Sequence, residues 1–254
     1  MDHALFQYLL RLGDSTLVLS QRLSEWTGHG PALEEDLALT NTALDLLGQA
    51  RMWLTLAGEV EGLSRDEDQL AYLRDAPDYR NYLLVERGNG DYGHTMLRQF
   101  FFDSWHYFLL QRLSLSPDAR IADIAAKALK EVTYHARRSA DIVVRLGDGT
   151  AESHQRMQSA LDDLWRYTGE LFVDDSIHTA LAQRGVITLH ETLEQDWLTH
   201  VQAVLKEATL NLPAIEDARH SAYQGGMAGR HTEALGYLLA EMQHLQRSYP
   251  GASW

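Results

Sequence analysis

The chain has no cysteine. That excludes disulfides, thiolate zinc sites, iron–sulfur clusters and a cysteine nucleophile, and it suits a reducing cytosol. Basic residues are few: 22 Lys and Arg stand against 36 Asp and Glu, for a net charge of −14. Nucleic acid needs a basic surface to meet its phosphates, so it is excluded as a partner, and an anionic membrane face is excluded for the same reason. No uninterrupted apolar run is long enough to span a bilayer. The opening residues Met1-Asp-His-Ala-Leu-Phe6 lack the basic and long apolar regions of a secretory signal. A cytoplasmic location is expected. Proline is scarce as well, with five in all. Pro31, Pro77, Pro117, Pro213 and Pro250 each stand where a helix should start or stop.

At 254 residues and 45% hydrophobic content, the chain can bury a large core. The segments between the prolines and glycines carry helical periodicity rather than strand alternation. The spacing predicts helices over about 4–26, 31–61, 66–72, 92–115, 118–146, 152–172, 175–184, 189–209 and 232–247. The stretch Asn81–Glu86 reads as a loop or short helix, and Gly225-Gly-Met-Ala-Gly229 as a linker. Leu5, Leu9, Leu12, Leu19 and Leu23 mark one face of the first helix. Leu37, Leu44, Leu47 and Leu54 recur along the second. The expected fold is all-α: one domain, with a four-helix bundle core over about 4–146 and accessory helices over about 151–247.

The twelve histidines make metal binding worth testing. Carboxylate-bridged di-metal centres sit inside four-helix bundles and draw lone acids from some helices and Glu-x-x-His from others. In an antiparallel pair, residues equally far from the turn face each other, at about 1.5 Å per residue. Asp14 and Asp45 each lie about fifteen residues from the first turn, near His29-Gly30. Asp103 and Val132 lie about fourteen and fifteen residues from the second, near Pro117, with His135 one turn further. This level is short of ligands. The position three after Asp45 is Gly48, and the position three before His135 is Val132. Glu131 sits four before His135, the spacing of an ordinary side-chain pair. A shifted set of Asp45, Asp103, His106, Glu131 and His135 is the alternative, and it would make the protein a free-standing di-metal oxidoreductase.

Several stretches resemble a known family: Arg11–Leu23, Asp36–Leu39, Leu44-Asp-Leu-Leu-Gly-Gln-Ala-Arg51, Lys130–Arg137 and the C-terminal run from His231 to Gln243. They are similar to the C subunits of phenylacetyl-CoA epoxidases, and the likeness covers nearly the whole chain. The resemblance implies a ferritin-like fold and a non-catalytic role in a hetero-oligomer. The di-iron would sit in a related A subunit, and the remaining subunits would include a reductase. It also implies that Asp14, Asp45, Asp103 and His135 are vestigial ligand positions. Gly48 and Val132 then stand for a lost His and a lost Glu, and this chain binds no metal or other cofactor and holds no catalytic residue.

Acids left at such a level need compensating charge. His135 with an inward Lys127 or Lys130 is the expected source. The aromatic run Phe100–Phe108 is expected to be divided between core and partner surface.

Overall fold

The computed structural model describes residues 2–252, with the backbone alone at residue 221. Every regular element among the described residues is helical. None of these helices is long and apolar enough to cross a membrane. The backbone falls into two compact units, 1–88 with 225–254, and 89–224.

The first unit is built on α1 (His3–Ser24) and α2 (Leu33–Glu61), packed as a long hairpin. The Asp2 carboxylate accepts from the Leu5 amide and starts α1. The turn that follows is tied by a residue of the next helix. Asp36 Oδ2 accepts from the amides of Gly28 and Gly30 at 2.8 and 2.9 Å. Gly28 has φ +83°, and a Cβ on Gly30 would lie 2.7 Å from that of Asp36. The turn therefore needs both glycines. Glu34, Glu35 and Asp36 place negative charge in the first turn of α2, which has no side-chain cap. Gly62, at φ +72°, ends the helix. Then come α3 (Glu67–Tyr72), closed by a capping box between Asp66 and Gln69, and the single turn α4 (Leu83–Glu86).

Burial in this hairpin departs from the leucine pattern. From Leu5 to Leu23, α1 is buried on nearly every side. On α2 the buried stripe is Leu39, Ala43, Leu46, Ala50, Trp53 and Ala57, at spacings of three and four. Leu37, Leu44 and Leu47, three of the leucines that recur along this helix, are 54%, 60% and 36% exposed.

The second unit opens with α5 (Tyr92–Leu113), capped by Asp91 on the His94 amide, and α6 (Ala119–Gly147), capped by Asp118. α6 buries Ile121, Ala125, Ala128, Val132, His135, Ser139 and Ile142 in a regular four–three seam. α7 (Ala151–Leu164), α8 (Ser176–Gln183), α9 (Glu194–Glu207) and the short α10 (Ile215–Ala218) complete it. The two helices expected over 152–172 and 189–209 are each broken by 3₁₀ turns, at 165–167, 169–172 and 190–193. The first break lets Gly169 meet the Ala218 carbonyl, where a Cβ would lie 1.8 Å from the oxygen. It also aligns an aromatic cluster. Trp165 and Trp197 stack at 5.8 Å, and Phe101 and Phe172 pack against Trp197. Three buried indole N–H groups of this unit donate to carbonyls: Trp105 to Leu171, Trp165 to Ala214 and Trp197 to Phe101. In the aromatic run Phe100, Phe101, Phe102 and Trp105 are buried, and Tyr107 and Phe108 are half-buried. None of the run is fully exposed, so core packing accounts for more of it than its sequence suggested.

From residue 225 the chain returns to the first unit with α11 (Glu233–Met242) and α12 (His244–Ser248). The segment at 225–229 is a close-packed connection. A Cβ on Gly226 would stand 2.1 Å from the Asn81 carbonyl oxygen.

Candidate functional site

Asp14 lies on the wholly buried stretch of α1 and is itself fully buried. Its carboxylate is taken up by an arginine. Arg74 Nη1 donates to Oδ2 at 3.0 Å, Nη2 donates to Oδ1, and the amide of Arg80 donates to Oδ2 at 2.8 Å. Arg74 also donates to the carbonyls of Leu70 and Asp78, and its guanidinium lies 4.5 Å over the Tyr79 ring. A bidentate guanidinium is the strong form of a carboxylate pair, because its planar fork matches both oxygens. The compensating cation at Asp14 is therefore Arg74, which along the sequence shows only as part of the Arg74-Asp-Ala-Pro77 break between helices.

Asp45 and Gly48 lie on the outer part of α2. Asp45 is half-buried and Gly48 exposed, and a side chain at position 48 would meet open space.

In the second unit Asp103, His106, Val132 and His135 are all buried. Gln99 Nε2 donates to Asp103 Oδ1 at 2.6 Å. Asp103 Oδ2 makes no hydrogen bond among the described residues. The nearby Ser139 hydroxyl donates instead to the His135 carbonyl at 2.9 Å. Burial pushes the Asp103 carboxyl up to about 6, against the opposing influence of His135, Ser139 and Gln99. Burial, helped by His135, pushes His106 down to about 3, so it is neutral at physiological pH. The structure thus brings His135 close enough to influence the ionisation of both Asp103 and His106. Val132 adds only an apolar surface. Lys127 and Lys130 are exposed, so neither serves as an inward cation. The spacing placed them within a turn of the acids, but on α6 they face the other way.

A di-metal centre needs about four carboxylates and two imidazoles. The donor set does not meet this requirement. Asp14 is held by Arg74, position 48 has no side chain, and Val132 has no donor. In the second unit, Asp103, His106, Glu131 and His135 do not gather their donor atoms into a metal-sized group. Among the described residues such a group occurs elsewhere, at Asp174, His178 and His190.

A second buried ionic centre lies in the first unit. Glu86 Oε2 accepts from Asn81 Nδ2 at 3.0 Å and lies 2.8 Å from His231 Nδ1. Glu86 Oε1 accepts from the Thr232 amide. His231 Nε2 faces the Tyr79 carbonyl oxygen at 3.1 Å. Both ring nitrogens meet acceptors, which only the imidazolium can satisfy. This centre fastens the returning chain to α4. Gln243 does the same further on, donating to the carbonyls of Ala71 and Arg74 and to the Tyr79 hydroxyl.

These features define a class: an all-α protein of long helix pairs that bury Asp14, Asp103, His106 and His135 along their inner faces. The chain belongs to the family described as phenylacetic acid catabolic protein, whose model matches residues 1–254. It is 52% identical over 248 residues to the C subunit of the 1,2-phenylacetyl-CoA epoxidase of Escherichia coli (strain K12), covering 97% of this chain and 98% of that protein. The all-helical structure is consistent with the ferritin-like fold of this family.

Proposed function

We propose that this chain is the C-type subunit of a phenylacetyl-CoA epoxidase. In this reading it supports a di-iron catalytic subunit in aerobic phenylacetate breakdown and performs no chemical step itself. The similarity to the E. coli protein supports membership of such a complex. The non-catalytic role rests on one observation, the buried Asp14–Arg74 pair. An acid at a ligand level that is fully engaged by a guanidinium and a backbone amide has no oxygen to offer a metal without breaking that pair. The exposed Gly48 and the apolar Val132 point the same way.

The chain's own residues then act structurally. Asp14, Arg74, Glu86 and His231 hold the first unit together, and the α5–α6 seam organises the second. The partner surface is best sought on α2. Leu33, Leu37, Leu44 and Leu47 are 72%, 54%, 60% and 36% exposed, and they lie within one side of the helix at spacings of four, seven and three. Exposed apolar stripes of this kind mark protein contacts.

The test is co-expression with the catalytic subunit, separation of the two, and iron analysis of each. Iron should follow the partner alone, and Leu44→Glu should weaken co-purification without lowering this chain's stability. Iron in this chain expressed alone, lost on His135→Ala, would overturn the reading in favour of a di-metal oxidoreductase using the shifted ligand set.

A further inference from the structure

In the second unit, the loop before α8, the first turn of α8 and the 3₁₀ turn at 190–193 bring together two imidazoles and a carboxylate. His178 and His190 are both fully buried, and their rings lie 4.4 Å apart. One donor atom from each of Asp174, His178 and His190 lies within 4.8 Å of the other two. The Asp174 side chain is 10% exposed, so the group has one edge open to solvent.

His178 Nδ1 lies a long 3.3 Å from the Asp175 amide nitrogen. Two carboxylate oxygens stand beside that nitrogen, Asp174 Oδ1 at 3.5 Å and Asp175 Oδ1 at 3.2 Å. A cation or a proton between this nitrogen and the two carboxylates would satisfy all three groups. Zinc-class bonds of about 2.0–2.1 Å in a tetrahedron set neighbouring ligand atoms roughly 3.3 Å apart; Asp174 Oδ1 and His178 Nδ1 lie 3.5 Å apart, and the His190 donor lies within 4.8 Å of the other two.

The carboxylates are also held in place. Asp174 accepts from the His190 and Glu191 amides at 3.0 and 2.9 Å. Asp175 accepts from the Ile177 and His178 amides. The buried ring of His190 is walled by Trp105 at 5.7 Å. Such outer contacts orient ligands toward an ion.

We infer that Asp174, His178 and His190 bind one divalent cation of the zinc class, with water at the fourth position on the open edge. Two imidazoles and one carboxylate suit zinc, cobalt(II) or nickel(II) better than magnesium or calcium, which favour oxygen. The ion would be structural, locking α8 to the turn that starts α9. This site is independent of the proposed role in the epoxidase.

The experiment uses the full chain, stripped of metal with a chelator and titrated with Zn²⁺ by calorimetry and with Co²⁺ by visible absorption. The expected result is one ion per chain, with the intense visible bands of four-coordinate cobalt. Asp174→Asn, His178→Gln and His190→Gln should each weaken binding roughly tenfold or more, while the exposed His29→Gln binds as wild type. Because Asp174 also caps a turn, a second readout is the rise of the thermal midpoint with added Zn²⁺. Wild type should show it and the three variants should not. No binding at about 10 µM Zn²⁺, or binding and stabilisation unchanged in the variants, overturns the site. The first result would mean that a proton alone bridges the group.

Discussion

Arg74→Ala isolates the fully buried Asp14 carboxylate. The variant keeps one of the three donors to that group, the Arg80 amide, and loses both guanidinium N–H bonds. It also strips the carbonyls of Leu70 and Asp78 of a donor and uncovers the Tyr79 ring. Removing one member of a buried ion pair costs about 3–5 kcal/mol, most of it the penalty of the charge left behind. With a urea dependence of about 3 kcal/mol/M for a chain of this size, the unfolding midpoint should fall by roughly 1–1.7 M. Arg74→Lys retains the charge but not the fork, and should lie between. The double variant Asp14→Leu/Arg74→Met removes both charges and should recover most of the loss, since apolar replacement of a buried pair is often neutral. The assay is urea unfolding followed by far-UV circular dichroism, with iron analysis of the same samples. Arg74→Ala releases Asp14, yet should take up no iron, because positions 48 and 132 still lack donors. A single variant as stable as wild type, or a double variant as unstable as the single, would refute the account of the pair. Stoichiometric iron in Arg74→Ala would refute the account of the ligand deficit.

Two further centres make pH-dependent predictions. Burial lowers the affinity of His231 for its proton, but Glu86 and the Tyr79 carbonyl outweigh it and raise the pKa above 6.5. The stabilisation is therefore fully present below about 6.5 and lost as pH rises through the folded value. His231→Gln should lower the urea midpoint most near pH 6, with the gap closing by pH 9; a gap independent of pH would show that packing, not charge, makes the contact. Asp103 behaves in the opposite sense. Its carboxyl stands near 6 when folded against 3.8 unfolded, so a penalty is present above about 6 and is relieved as pH falls toward 3.8. Asp103→Asn, neutral throughout, should be more stable than wild type at pH 7.5 and equal to it near pH 4. A lower midpoint at pH 7.5 would mean that attraction to His135 outweighs burial.

The helices and most of their ends were readable from local chemistry. Asp2, Asp66, Asp91, Asp118 and Asp175 all cap helices in the structure, and each cap is a contact between residues two or three apart. That Gly48 and Val132 offer no donor atom is likewise plain in the sequence, because helical spacing alone decides which residue types can share a face. Which face is buried was not. Of the leucines that recur along α2, Leu54 is buried while Leu37, Leu44 and Leu47 are not, and packing buries the stripe through Leu46 and Trp53. Composition does not say which side of a helix meets its partner. The charge partners were hidden for a similar reason. Lys127 and Lys130 are close to the acids in sequence and turn outward, whereas Arg74 meets Asp14 across sixty positions. His231 likewise meets Glu86 across 145. The Asp174–His178 spacing is visible along the chain, but His190 joins it only because a 3₁₀ turn interrupts what periodicity read as one helix. A buried charge takes whichever counter-charge the folded chain brings within hydrogen-bond reach, and that distance is set by tertiary packing.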